Sequence, residues 1–337
     1  MRTRPRLTLI ASLLCSGLLL AGCSGADEGE PQAAGPDPQA TAEGQRLLSS
    51  WPLTGEPVRG EASSERDHPV VVAKIDNTSS SAPQEGLDEA ELVVEELVEG
   101  GTTRLAAFFY RDLPTQVGPV RSMRATDIGI VRPIGASVVT SGAAAPTVAR
   151  IQQAGIPFYA EGAKGIYRVG DRSAPYNLFA DVDAVTPRQP PARPSDYLPF
   201  GQASDNPRGE PARTISATFS AARTSTWELV DGTYRLTNGY TAPGQGFPAD
   251  TVLALTVKVG DAGYLDPAGN PVPETIFEGT GDAVLFHDGR AVRGTWTKDG
   301  LGGALRLKAG GQDLVVPPGR TWIELLPESG GSVAFSR

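Results

Sequence analysis

Val70-Val71-Val72-Ala73-Lys74-Ile75 (VVVAKI, residues 70–75) is an uninterrupted, mostly β-branched run, the pattern of a strand covered on both faces. Working outward, Leu92 to Val98 and Leu105 to Tyr110 flank Gly100-Gly101 and read as two strands joined by a glycine turn, with a helix over 87–98 as the competing reading. Thr126 to Val131 and Thr147 to Gln153 carry helical patterns, the second closed by Gly155 and followed by Pro157. Strands mixed with short helices predict an α+β (or α/β) layered N-terminal domain over 49–185. Residues 186–212 are rich in proline and poor in apolar side chains, as in a domain linker or long surface loop. Beyond it, 213–337 holds short strand-like runs such as Ile215 to Phe219, Thr251 to Val259, Ala291 to Thr297 and Thr321 to Leu326. Turn signals at Asp231-Gly232, Asp288-Gly289 and Asp299-Gly300 separate many of them, so a mostly β C-terminal domain is expected.

The N-terminus supplies an address. Arg2, Arg4 and Arg6 precede an apolar run, Leu7 to Leu20, too short to span a bilayer as a helix, and Leu20-Ala21-Gly22-Cys23 follows. The tetrapeptide resembles the lipobox of bacterial lipoproteins, so 1–22 is expected to be a signal peptide and Cys23 the acylated residue. Two or more acyl chains give stable attachment, here to the outer leaflet of the cell membrane on the extracytoplasmic side. Residues 23–48 hold almost no large apolar side chains and are expected to form a disordered tether.

Composition narrows the chemistry. Losing the three arginines of 1–22 from 30 basic residues leaves 27 against 39 acidic ones, a net charge of −12 that disfavours nucleic acid as a partner. Cys15 is discarded and Cys23 lipidated, which leaves no thiol for catalysis or disulfides. His68 and His287 are the only histidines, too few for a His-rich metal site; neither a metal nor a cofactor is expected. Carboxylates, arginines, tyrosines and serines remain.

Several polar residues interrupt apolar segments. Asp76-Asn77 ends the first strand, where open α/β sheets present ligand-binding groups, although Asp-Asn-Thr-Ser equally suits a turn or cap. Glu95 and Glu99, four apart, share one face in a strand (roughly 13 Å apart) or in a helix, and a carboxylate on an apolar face meets the condition for a general acid. Glu91 and Glu96 read as ordinary solvated acids. Arg104, Arg121 and Arg124 offer guanidinium forks for a carboxylate or phosphate, or else neutralise the acids. Asp171 to Asn177 reads as a binding loop or a surface turn. Trp227, Trp296 and Trp322 read as core.

Trp51-Pro52-Leu53-Thr54-Gly55, Lys74-Ile75-Asp76-Asn77, Glu95 through Arg104, Gly118 through Arg124 and Ala174-Pro175-Tyr176-Asn177 together resemble the ordered motifs of the YerB-like bacterial lipoproteins. The likeness covers 50 to about 330 and implies paired N- and C-terminal domains of unknown function. It marks Asp76, Asn77, Glu95, Glu99, Arg104, Arg121, Arg124, Arg172 and Asn177 as the site. Tyr176 and Thr140 stand where that family commonly has histidine, so imidazole chemistry has no residue here. Two functions remain open. In one, Glu95 or Glu99, assisted by Asp76, cleaves cell-wall glycan while Asn77, Arg104, Arg121, Arg124, Arg172 and Asn177 bind it. In the other, a non-catalytic envelope protein holds a wall fragment or a protein partner, and the acid-arginine cluster is a structural network.

Overall fold

The first strand, β1 (Val71–Asn77), is buried at every position, as its β-branched run predicts. It belongs to a computed structural model that describes residues 50–60, 63–267 and 269–337. The expected signal peptide, Cys23 and the tether lie outside the described residues.

β2 (Leu92–Leu97) and β3 (Thr103–Phe109) form the expected antiparallel hairpin, and β3 pairs onward with β1. The helix considered for 87–98 does not form; two consecutive glycines with φ 71° make the turn instead. Gly101 is the tighter of the two: a Cβ there would stand 3.0 Å from Ser220 Oγ, whose hydroxyl donates to the Gly101 carbonyl. Gly101→Ala should therefore cost about 1–2 kcal/mol for the left-handed backbone, plus the displaced contact, measured as a lower thermal midpoint than that of Gly100→Ala.

The N-terminal half continues through α1 (Asp127–Val131), β4 (Ser137–Val139), α2 (Ala145–Gln153), β5 (Phe158–Tyr159), β6 (Ile166–Arg168), β7 (Leu178–Ala180) and α3 (Val182–Val185). The C-terminal half adds β8 (Glu210–Pro211), β9 (Thr214–Ser220), β10 (Arg223–Val230), β11 (Thr233–Leu236), β12 (Thr251–Leu265) and β13 (Pro271–Ile276). It ends with β14 (Gly279–His287), β15 (Arg290–Lys298), β16 (Leu305–Ala309), β17 (Gln312–Asp313), β18 (Thr321–Pro327) and β19 (Ser332–Ser336).

These strands make the chain mostly β. The two halves also share one 13-stranded sheet, ordered β17-β16-β15-β14-β12-β18-β2-β3-β1-β4-β5, with β13 beside β12 and β8 beside β15. The seam is β18 against β2, parallel, from Thr321 opposite Leu92 to Leu325 opposite Glu96. An N-terminal layer of helices is present only as short pieces, the longest being the nine residues of α2.

Each face of the sheet buries its own core. On one, called here the helix face, Val72, Val94, Phe108, Leu253 and Ile323 meet Ile128 and Val131 of α1 and Ile151 of α2. On the other, the sandwich face, Val93, Leu105, Val252 and Trp322 meet Ile215, Phe219 and Trp227 of an antiparallel four-stranded sheet, β11-β10-β9-β19. β9 alternates buried and part-exposed positions because only one side of that sheet is covered.

Residues 186–212 do more than connect the halves. Tyr197, Leu198 and Phe200 enter the core of the helix face, and the Tyr197 hydroxyl donates to the Ile130 carbonyl at 2.9 Å. Trp227, Trp296 and Trp322 are buried, as expected of core.

Candidate functional site

A strand pleats, so consecutive residues leave opposite faces, and this divides the candidate residues into two groups. Asp76 pairs with Arg104 across β1 and β3, and Arg104 with Glu96 across β3 and β2, so all three face the helices. Asn77, Thr103 and Glu95 alternate with them and face the four-stranded sheet.

On the helix face Asp76, Glu99, Arg104, Arg121 and Arg124 come together. Arg121 Nε donates to Asp76 Oδ2 at 2.9 Å, while Thr78 N and Oγ1 donate to Asp76 Oδ1 at 3.0 and 2.5 Å. Glu99 accepts from Arg124 through both its carboxylate oxygens, with Nε to Oε2 at 3.0 Å, and Arg104 Nη2 lies 3.4 Å from Oε1. Arg104 Nη1 donates to the Ser122 carbonyl at 2.9 Å, while its buried Nε has no acceptor among the described residues. Burial, and next to it the nearby Arg124 charge, lowers Arg104 to about 10. Burial alone would raise Glu99, but the Arg124 and Arg104 guanidiniums outweigh it and hold the carboxyl below its ordinary value.

Deeper on the same face, Lys74 Nζ stands 2.5 Å from Glu96 Oε1 and 2.7 Å from Asp127 Oδ1, with all three side chains fully buried. Burial works against the Lys74 charge, but Asp127 and Glu96 outweigh it and raise its pKa. Glu96 is therefore no solvated acid. Nor is Glu91, whose Oε1 accepts from the Tyr110 and Arg111 backbone amides at 2.6 and 2.5 Å; burial raises its pKa.

On the sandwich face Glu95 is fully sealed. Its Oε1 accepts from Asn77 Nδ2 (3.0 Å), Thr103 Oγ1 (2.7 Å) and Arg223 Nε (3.0 Å), and its Oε2 from Ser225 Oγ (2.8 Å). Glu95 and Glu99 thus do not share a face. β2 ends at Leu97, and the 3-10 turn Glu99–Gly101 carries Glu99 over to the arginines of the helix face. Asp76 and Glu95 likewise lie on opposite sides of the sheet and cannot flank one glycosidic bond.

Arg172 and Asn177 stand apart from both groups. Arg172 ties Ser81 and Pro83 carbonyls and Glu85 to the loop before β7, and its guanidinium lies 5.0 Å from the Phe179 ring. Asn177 braces the β6–β7 turn through Arg168 and the Val169 carbonyl. Their neighbour Tyr176 does reach the cluster, with its ring 5.4 Å from the Arg121 guanidinium carbon.

Sequence reasoning missed Lys74, Asp127, Arg223, Ser225 and Glu324. The available signal was a charge inside an apolar run, as in Lys74 of VVVAKI and Glu324 of Thr321-Trp322-Ile323-Glu324-Leu325-Leu326. Two of the larger hollows lie away from all of these carboxylates. One, of about 480 Å3, is walled by Tyr197, Phe200, Leu305 and Leu314. The other, of about 720 Å3, lies between Leu97, Phe219, Ile276 and Pro327.

Chemically, the two glutamates are committed to fixed partners. Glu95 is fully buried and already accepts four hydrogen bonds, and Glu99 is held as an anion by guanidiniums. Arg121 is the most open of the clustered arginines, at 22% exposure, and its Nη donors have no acceptor among the described residues.

Comparison with known proteins gives a consistent picture. Two family profiles match, described as "Protein of unknown function (DUF3048) N-terminal domain" over residues 53–193 and the corresponding C-terminal domain over 215–323. The chain is similar to "Putative lipoprotein YerB" of Bacillus subtilis, 24% identical over 298 residues that cover 82% of this chain and 86% of that protein. The crystal structure of the Bacillus subtilis YerB protein superimposes with a TM-score of 0.69 at 20% identity, covering 85% of this chain and 99% of the other, so the fold is shared.

Proposed function

This chain belongs to the YerB-like family with paired N- and C-terminal DUF3048 domains, and on that premise we propose a lipid-anchored, non-catalytic binding protein of the cell envelope that receives a carboxylate-bearing cell-wall fragment on Arg121. The anchor is Cys23 of the lipobox-like tetrapeptide, in keeping with the lipoprotein name of the relative, and places the folded part on the extracytoplasmic side, at the outer leaflet. No helix among the described residues is long and apolar enough to cross a membrane.

The observation that carries the binding reading is Arg121 itself, the most open of the clustered arginines, whose Nη donors have no acceptor among the described residues. Counted with the deeper Lys74, Glu96 and Asp127 the cluster is balanced in charge, so unfilled guanidinium donors rather than a net charge favour an anion there. Asp76 fixes the Arg121 guanidinium through Nε, and Tyr176 lies beside it, which leaves the Nη pair oriented before a ligand arrives. A planar carboxylate matches that fork in a bidentate fashion, and stem peptides and acidic sugars of the wall carry such groups. Glycan cleavage loses its support because the carboxylates assigned to it are committed to buried or bidentate partners.

The full-length chain in detergent, titrated calorimetrically with soluble muropeptides, should bind them. Arg121→Ala should weaken that binding about 10- to 100-fold, the loss of charge-assisted hydrogen bonds worth roughly 1.5–3 kcal/mol. The same preparation should leave purified peptidoglycan intact. Equal affinity of wild type and variant would overturn the assignment of Arg121, and release of glycan fragments would restore the enzyme reading.

A further inference from the structure

The seam between the two halves carries a second buried acid that no sequence motif marked. Glu324 of β18 stands directly opposite Glu95 of β2 in a parallel register, so both side chains leave the same face of the sheet about 4.8 Å apart. Both are fully buried. Glu324 Oε1 accepts from Trp227 Nε1 at 2.8 Å, while its Oε2 has no donor among the described residues. The groups packed around the pair come from several elements. β10 supplies Arg223, Ser225 and Trp227, β1 and β3 supply Asn77 and Thr103, and Tyr240 lies 5.6 Å from the Arg223 guanidinium carbon. Of these only Arg223 is charged, so one guanidinium faces two carboxyl groups in a space without water-exposed surface.

Two adjacent buried carboxylates with a single cation leave an uncompensated negative charge, and a proton is the smallest group that removes it. We infer that Glu95 and Glu324 share one proton, carried on Glu324 Oε2 and donated to Glu95, and that this acid–carboxylate pair is a pH-sensitive fastening between the shared sheet and the four-stranded sheet. Charge fits the assignment: Arg223 and three neutral donors converge on Glu95, and the lone cationic neighbour of Glu324 is thereby already engaged. Burial first, and then the Glu95 charge, raise the Glu324 pKa well above its ordinary 4.5.

The direction with pH follows from linkage. A carboxyl with a raised folded-state pKa contributes stability that is complete below the unfolded value of 4.5 and is lost as the pH climbs through the raised value, because the unfolded chain releases the proton first. Glu324→Gln keeps the shape and a donor without the ionisation. Melting of the wild-type chain should shift to lower temperature as pH rises above 4.5, and the part of that shift due to this pair should be absent from Glu324→Gln. Infrared difference spectra at about pH 7 should show a protonated-carboxyl band that Glu324→Gln lacks and that Glu324→Asp, which keeps an acid, retains at a shifted frequency. The aspartate variant and the wild-type band keep the test decisive where the glutamine variant does not fold. Parallel pH dependences of wild type and Glu324→Gln, or the same carboxyl bands in all three proteins, would overturn the inference.

Discussion

Lys74→Met should cost the fold about 3–5 kcal/mol, the largest single-residue effect expected at the helix face. The ammonium stands between Glu96 and Asp127 at 2.5 and 2.7 Å, and none of the three side chains is exposed. Methionine fills nearly the same volume, so little of the loss comes from packing. What remains is a pair of fully buried carboxylates that have lost the one cation in direct contact with both. Against a typical domain stability of about 5–15 kcal/mol, such a loss moves a chemical-denaturation midpoint far or leaves the chain insoluble. A second substitution separates charge from shape. Lys74→Met with Glu96→Gln should recover part of the loss, because one of the uncompensated charges has gone with the cation. A double variant no better than the single one would show that Lys74 acts through packing.

Glu95→Gln should be nearly as costly, about 3–5 kcal/mol in the same measurement, for a different reason. Glu95 is the acceptor on which Asn77, Thr103, Arg223 and Ser225 all converge. The amide replaces one acceptor oxygen by a donor, which then meets donors, and it removes the anion opposite Arg223. Burial alone would lower the Arg223 pKa, but Glu95 outweighs it and keeps the guanidinium charged. A carboxylate kept for catalysis behaves in the opposite way, since its removal relieves strain and leaves the midpoint unchanged or raised. Thermal melting of Glu95→Gln is therefore also the sharpest comparison between a scaffold acid and a general acid at this position. Glu324→Gln, by contrast, replaces a group already neutral and should be far milder at neutral pH.

The strands were legible wherever their pattern was local. VVVAKI reports burial on both faces without knowledge of its neighbours, and the double glycine announces a hairpin by its backbone requirement alone. Several short strands escaped notice, β4 to β8 among them, and two of the longer ones show why. β13, Pro271–Ile276, begins Pro-Val-Pro, and prolines read as breakers unless the strand sits at an edge, as this one does beside β12. β19, Ser332–Ser336, is short, small in side-chain volume and half exposed, so it carries almost no periodic signal.

The candidate site was legible in composition but not in geometry. The alternation argument for Glu95 and Glu99 was sound for a strand, and it failed because β2 stops at Leu97, two residues too soon. Glu91 and Glu96 looked solvated because nothing near them in the chain resembles a partner. Lys74 lies 22 residues from Glu96, and the amides that bond Glu91 belong to Tyr110 and Arg111, just past the end of β3. Arg223 and Glu324 are more distant still and belong to what sequence alone presented as another domain. Pairing across the sheet, unlike periodicity along a strand, is a property of the finished fold.

The β2–β18 seam has a consequence for how this chain is made. Its partner segments are separated by more than two hundred residues of sequence, from Leu92 to Thr321, so β2 is synthesised long before the strand that completes it. Until then one side of the β3–β2 hairpin is an open row of amides and carbonyls, the kind of edge on which chains associate with one another. Closing so long a loop is entropically slow, and the central contact of this molecule is among the last to form. Damage to β18 would thus leave the N-terminal half without its lateral neighbour.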